Sequence, residues 1–252
     1  MKRKNIVQWL ILLLGVILIL FATFFTHSPP DSSGVSIGLN TILLSIGCSI
    51  IAVVIINFVE YQITIPEINI LKFIDSWKVV AIYDTRQEMN AETNKLLEKA
   101  EELDIAAFGC KGLINYQGEV LKKRLKKGMK IRFLVPDKDS DFVKQREADE
   151  NATPGEIKKT IEDLISWIND TRVSLSLAND QIEIKKYSCL PVDSIMRIDG
   201  ELFTGPFMVK KVSQLTMAYQ YRSGGKGYSY YSSYFDKIWS DESISSYIPR
   251  TS

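Results

Sequence analysis

The chain has 252 residues, of which 46% are hydrophobic, and its 31 basic and 30 acidic residues give a formal net charge of +1. This length accommodates one globular domain and a smaller unit, and the near-zero charge excludes a general electrostatic attraction to nucleic acid. The three cysteines form no CxxC pair, so we predict neither a zinc site nor a disulfide framework. His27 is the only histidine, which excludes histidine-based catalysis in everything that follows it.

Two uncharged apolar runs, 6–26 and 35–59, lie near the start of the chain. Each has about 20 residues or slightly more, the length that a helix needs to cross a bilayer. The first run is not followed by the small-residue cleavage site of a signal peptide. We therefore predict an N-terminal α-helical transmembrane hairpin at 1–59. The basic cluster Lys2–Lys4 then places both termini in the cytoplasm, with the protein in a bacterial inner (plasma) membrane.

The second apolar run carries small side chains at helical spacing. Ser45 and Ser49 are four residues apart, as are Cys48 and Ala52, so their side chains lie on one side of a helix and allow another helix to approach closely. Two interpretations stay open: packing within the hairpin, and self-association of hairpins into a homo-oligomer. The residues predicted to mediate helix packing are Ser45, Ser49 and Ala52.

The rest of the chain alternates strand and helix signals. A membrane-proximal neck is predicted at 60–76, because this segment lacks the glycine and serine of a flexible linker. Strand-like runs such as KVVAIYD (78–84) and MKIRFLVPD (129–137) then alternate with helical periodicity. This order predicts an α/β sandwich at 77–240, with helices on the sheet faces, and a tail at 241–252.

Two local predictions concern the middle of this domain. The polar run at 137–151 indicates a loop or a disordered lid. Thr153–Glu156 has the pattern of a capping box with proline at the first helical position, so a helix is expected to begin there.

Three segments resemble the phospholipase D-like superfamily. VLKKRLKKGMKIRFLVPD (120–137) is similar to its unit of basic helix, glycine and strand, and SIMRIDGELFTGP (194–206) is similar to its HxKxxxxD…G(S/T)xN segment. SYYSSYFDKIW (229–239) resembles the aromatic helix that often ends such domains. The resemblance covers 76–239 and implies that the α/β sandwich is phospholipase D-like.

The side chains that perform the chemistry of that superfamily are missing. The motif aspartate falls on Asp199 and the next glycine on Gly200, but the histidine position is Val192 and the lysine position is Ser194. The later turn, 205–208, lacks the asparagine. In active members the histidines attack phosphorus and protonate the leaving group, while the lysines hold the phosphoryl oxygens. The resemblance therefore implies a domain without catalytic residues.

A basic helix is the first candidate ligand surface. Leu121 and Leu125 are four residues apart and face the core, so the charged residues lie on the other side of the helix. A solvated helix face and a phosphate-rich partner (anionic lipid, nucleotide or nucleic acid) are the two interpretations. The predicted ligand residues are Lys122, Lys123, Arg124, Lys126 and Lys127.

The second candidate surface is QYRSGGKGYSYYSSYF (220–235). Its glycines let a backbone approach phosphate, and its tyrosines offer stacking faces to bases, although part of the tyrosine set also fits a core. We expect this loop and Arg197 to lie near the end of the sheet that carries the active site in phospholipase D-like enzymes. The predicted ligand residues are Arg197, Tyr221, Arg222, Lys226 and Tyr228.

The predicted function is that of a bacterial inner-membrane effector or sensor, not an enzyme. Small two-helix membrane proteins with a cytosolic sensor domain resemble antiphage effectors, which implies oligomerisation that disrupts the membrane. The alternatives are a membrane-tethered nuclease or lipid phosphodiesterase, disfavoured by the missing histidines, and a passive scaffold for a partner protein encoded nearby. No catalytic residue, cofactor or metal is predicted.

Overall fold

The structure is a computed structural model that describes residues 2–24, 38–61, 65–178, 180–191 and 193–249, without the side chains of 2–8, 65 and 66. The chain divides into two compact units, Met1–Phe73 and Ile74–Ser252. The boundary lies within the segment predicted to be the neck.

The first unit contains two long apolar helices, α1 (Lys2–Phe24) and α2 (Leu39–Val59). They pack closely where each carries a glycine. A Cβ atom added to Gly47 would lie 2.6 Å from Cγ1 of Ile19 and 3.0 Å from the carbonyl oxygen of Gly15. Glycine at these positions therefore allows the two helix backbones to approach.

The predicted fold class, a two-helix transmembrane hairpin plus a phospholipase D-like α/β sandwich, was wrong. Among the described residues only α2 is long and apolar enough to cross a membrane. In the described part of α1, the apolar stretch is Trp9–Phe24, which is shorter than α2.

The second unit is built on one mixed sheet of eight strands, in the order β1-β7-β6-β5-β2-β3-β4-β8. The strands β2, β3 and β4 are parallel to one another, and all other neighbours are antiparallel. The strands are β1 (Val79–Tyr83), β2 (Glu102–Ala106), β3 (Lys130–Pro136), β4 (Ile182–Tyr187), β5 (Asp193–Ile198), β6 (Glu201–Pro206), β7 (Ala218–Arg222) and β8 (Ser245–Tyr247).

Six further helices follow α2. They are α3 (Ile65–Trp77), α4 (Arg86–Leu97), α5 (Lys111–Leu125), α6 (Asp141–Glu150), α7 (Glu156–Leu175) and α8 (Lys226–Ser240). A 3-10 turn at Ser213–Leu215 precedes β7.

Each face of the sheet has its own apolar core. In β3, Ile131 and Phe133 are buried in the larger core, with residues of α4, α5 and α7, whereas Leu134 points to the other face. That second core lies under α8, which contributes Phe235 and Ile238. The predicted alternation of β3 is confirmed, because successive strand residues face opposite sides of the sheet.

Two local predictions were wrong. The segment predicted as a loop or lid contains α6, which buries Val143 and Arg146. The predicted tail contributes β8, which pairs with β4.

The predicted capping box is half formed. The backbone nitrogen of Thr153 donates to Oε2 of Glu156 at 3.3 Å, but the helix begins only at Glu156, with Gly155 at its N-cap and φ of 86°.

Candidate functional site

A buried ion-pair network lies between the sheet and α8. Arg132 donates from Nε and Nη2 to the carboxylate of Asp104 at 2.6 and 2.9 Å, and from Nη2 to Asp236 at 2.8 Å. Arg197 forms an ion pair with the same Asp104, whose side chain is 5% exposed. Burial alone would lower the pKa of Arg132, but the hydrogen bonds to both carboxylates raise it above its usual value. Arg197, a predicted ligand residue, therefore lies in a structural network.

The second candidate surface lies at the amino ends of the parallel strands. The register pairs Glu201 with Arg222, and it pairs Ile198 with the second residue of β2. The turn 222–226 is therefore beside the start of β2. The motif positions at the start of β5 lie beside the end of β2, because these strands are antiparallel. The expectation that this turn and Arg197 lie near the active-site end was wrong.

Three of the four predicted ligand residues on this surface have partners within the protein. Tyr221 is buried, and its ring centroid lies 6.3 Å from that of Trp77. Arg222 donates from Nε to a glutamate of β6 at 2.7 Å, and the hydroxyl of Tyr228 donates to a carbonyl of the β5–β6 turn at 2.9 Å. Lys226 is exposed and makes no ion pair with the described residues.

The basic end of α5 is only partly neutralised. Lys122 pairs with Glu119 at 2.9 Å, and Arg124 donates from Nε to the carbonyl oxygen of Ala100 at 2.9 Å. Cations in the last turn of α5 also interact favourably with its helix dipole. Within the described part of the chain, the exposed cations of this surface that form no ion pair are Lys123, Lys126 and Lys127.

Reversal of charge at the free lysines tests this surface. We expect Lys123→Glu with Lys127→Glu to weaken binding of the purified full chain to a single-stranded oligonucleotide, because two phosphate contacts are lost. The slope of log affinity against log salt should become shallower by about 1.4. The matched control is Lys210→Glu with Lys211→Glu, which makes the same charge change elsewhere on the exposed surface. Equal affinity of both double variants and the wild type would identify a solvated helix face.

Two buried arginines fill the carboxyl end of the sheet. Arg86 donates from Nη2 to the carbonyl oxygens of Gly205 at 2.7 Å and Pro206 at 2.9 Å. The guanidinium carbons of Arg86 and Arg146 each lie 5.2 Å from the ring centroid of Phe207. Burial lowers the pKa of Arg86 to about 10, and repulsion from Arg146 adds to this effect. A Cβ on Gly205 would lie only 2.4 Å from a backbone oxygen of the segment before β7, so this packing requires glycine.

Arg146 holds the loop between β6 and the 3-10 turn. It donates from Nη1 to the carbonyl oxygen of Met208 at 2.8 Å and from Nη2 to that of Lys211 at 3.2 Å. It also pairs with Glu150, which accepts from the backbone nitrogen of Ser213 at 3.1 Å. The loop is therefore fastened at both ends by one ion pair that is almost fully buried.

At the start of β5, a carboxylate of the strand contacts a phenol of α8. The hydroxyl of Tyr231 donates to Oδ2 of Asp193 at 3.2 Å. Burial raises the pKa of Asp193, and this effect exceeds the opposing effects of Tyr231 and Arg86. Ser194 donates to the carbonyl oxygen of Gly205 at 3.4 Å, and Val192 lies outside the described residues. None of these side chains forms a nucleophile–base pair of the kind that transfers a phosphoryl group.

The sequence prediction missed Arg86, Arg146, Asp193 and Phe207. One signal existed for Arg86, since it follows the N-cap Thr85 at the end of β1, and ligands of α/β proteins often bind at strand ends. No sequence signal linked Arg146 to Met208 and Lys211, which lie more than 60 residues away. Among the described residues, no group of three His, Cys, Asp or Glu could hold a metal ion.

The small side chains of α2 do not face α1. Gly47 is buried in the contact with α1, whereas Ser45, Ser49 and Ala52 are exposed. The hydroxyl of Ser49 donates to the carbonyl oxygen of Ser45 within the same helix. Packing of α1 on α2 therefore uses another face, and association through the small side chains stays a prediction.

Comparison with known proteins gives one family and a distant likeness to solved structures. No curated protein matches the chain. The solved structure of TrmBL2, an archaeal chromatin protein described as showing a novel mode of DNA binding, is 12% identical with a TM-score of 0.41, over 80% of this chain and 69% of that chain. The family model for a domain of unknown function, DUF5919, matches residues 75–216. Since this range is more than half of the 252 residues, the chain belongs to the DUF5919 family.

Proposed function

We propose that this chain is a membrane-anchored sensor or effector whose sheet domain binds a partner and does not hydrolyse phosphodiesters. Helix α2 is the proposed anchor, supported by its length and apolar composition. The location in a bacterial inner membrane is part of the same proposal. A role in antiphage defence rests on the analogy of architecture, and the genes beside this one in a genome test it.

The main support for the proposal is that protein side chains fill the carboxyl end of the sheet. Arg86 donates to backbone carbonyls, and Arg146 donates to backbone carbonyls, to the carboxylate of Glu150 and to the hydroxyl of Ser213. Phe207 lies against both guanidinium groups. A phosphoryl group at this place would have to displace these contacts. The position aligned with the catalytic lysine is Ser194, which bonds to the neighbouring strand. Binding without hydrolysis fits this arrangement better than catalysis does.

The aspartate at the aligned motif position has a structural role. Asp199 accepts hydrogen bonds at Oδ1 from the backbone nitrogens of Glu101 at 3.0 Å and Glu102 at 2.8 Å. It thus ties the β5–β6 turn to the start of β2, and this role needs no catalysis. The exposed lysines at the end of α5 are the proposed contact with a phosphate-bearing partner.

An assay of hydrolysis tests the proposed function. Purified full chain is expected to give no turnover of DNA, RNA or phospholipid above the blank, because no nucleophile–base pair lies at the start of β5. The matched variant is Asp193→Asn, which removes the carboxylate most able to act as a base while keeping its size. Turnover by the wild type that is lost in this variant would show that the chain is an enzyme and would overturn the proposal.

A further inference from the structure

Helix α3 exposes apolar side chains along most of its length. Ile70 and Leu71 are 59% and 64% exposed, and Ile68 and Ile74 are each 41% exposed. With 3.6 residues per turn, Ile70, Leu71 and Ile74 lie within about 100° of one another around the helix. Glu67 lies on the same side in the first turn, whereas Ile68 is displaced toward Lys72. Asn69 and Lys72 lie on the other side. Large exposed apolar patches of this kind mark surfaces that contact another phase or partner.

The position of α3 in the chain identifies what this side contacts. The helical turns of α2 continue through Tyr61, and α3 begins at Ile65. Four residue steps reach at most about 14 Å when fully extended. Glu60 is the first charged residue after the apolar run of α2, and an exposed tyrosine next to it is typical of the boundary between lipid and water. If α2 spans a bilayer, α3 therefore begins at or near the headgroup layer.

The other end of α3 is fixed to the sheet domain. Trp77 belongs to the core under α8, and Lys78 pairs with Asp75 at 2.8 Å. A Cβ on Gly225 would lie 2.5 Å from the carbonyl oxygen of Trp77, so the chain leaving α3 is tightly packed against the domain. The last turn of α3 is thus part of a rigid unit.

We propose that α3 is an interfacial membrane helix, which lies in the headgroup layer with Ile70, Leu71 and Ile74 in contact with lipid. This inference rests on the proposed anchoring by α2 and adds a second, lateral contact with the same bilayer. An amphipathic helix of this type inserts its apolar side about 5–10 Å into the boundary between headgroups and acyl chains. Its function would be to fix the orientation of the binding domain at the membrane surface.

Spin labels test the proposal in the full chain. Cys48 and Cys189 are replaced by serine and Cys110 by alanine, and single cysteines are introduced as Ile70→Cys and Ile74→Cys, with Asn69→Cys and Lys72→Cys as matched controls on the polar side. Each labelled protein is reconstituted in nanodiscs of phosphatidylcholine and phosphatidylglycerol, and collision rates with oxygen and a nickel chelate are measured. The oxygen-to-nickel ratio at 70 and 74 is expected to exceed that at 69 and 72 by at least about threefold. A label at Val53→Cys in α2 reports the anchor separately.

Each outcome is decisive. Equal ratios at all four α3 positions, with Val53→Cys inaccessible to nickel, would overturn the inference while leaving the anchor intact. Labels at 70 and 74 that neither reagent reaches would show that protein, such as a second copy of the chain, covers this side instead. A nickel-accessible Val53→Cys would overturn the proposed anchoring itself.

Discussion

Asp104→Ala is expected to lower the free energy of unfolding by about 3–5 kcal/mol, because it removes the buried carboxylate shared by two partly buried arginines. Asp104 accepts two hydrogen bonds from Arg132 and pairs with Arg197 between the sheet and α8. Without this carboxylate, the two guanidinium groups would repel each other with only Asp236 left between them. Removing one partner of a buried ion pair is strongly destabilising, because the remaining charged group has lost its hydration and has no compensating interaction.

Thermal unfolding of the purified full chain, followed by circular dichroism, measures this effect. For a domain of this size the loss corresponds to a decrease in Tm of about 6–20 °C. Asp236→Ala is the matched control, because its side chain is 48% exposed and water can replace the lost partner. Its expected effect is at most about 1 kcal/mol. Equal effects of the two variants would show that burial does not determine the strength of this network.

Arg146→Ala is the second large effect, with an expected loss of about 3–5 kcal/mol. The side chain is 2% exposed. It donates hydrogen bonds to the carbonyl oxygens of Met208 and Lys211 and forms an ion pair with the carboxylate of Glu150. Its removal leaves Glu150 mostly buried without its cation. Arg146→Lys is expected to recover only part of the stability, because a single ammonium group cannot reach the positions that the planar guanidinium serves.

Hydrogen exchange separates a local effect from global unfolding in this variant. Amides at 207–213 are expected to exchange on the order of a hundredfold faster in Arg146→Ala, since the two carbonyls and the carboxylate that fix this loop lose their shared donor. Amides of β3 should change only by the global loss of stability. Unchanged exchange at 207–213 would show that Arg146 does not hold the loop.

Several features of the sheet domain could be predicted from the sequence. The period of two in β3 and the helix pattern of α7 depend on neighbours a few residues away, so local spacing was sufficient to find them. Leu121 and Leu125 were likewise predicted to face the core, and both are fully buried. The same spacing placed the lysines of α5 on the outside, where three of them form no ion pair with the described residues.

The tertiary structure decided the rest, because the deciding contacts join residues distant in sequence. Helix α6 looks like a polar loop, but Arg146 and Glu147 are buried by partners on the loop before β7 and at the start of α7. The sequence indicated that Arg197 is free to bind a ligand, but the register of β2 and β5 places Asp104 opposite it. Hydropathy found both apolar runs near the start of the chain, but among the described residues only α2 is long and apolar enough to cross a membrane. Local spacing thus determined which residues are apolar and which face the core, whereas charge pairing, strand order and the filled carboxyl end of the sheet depended on the three-dimensional packing.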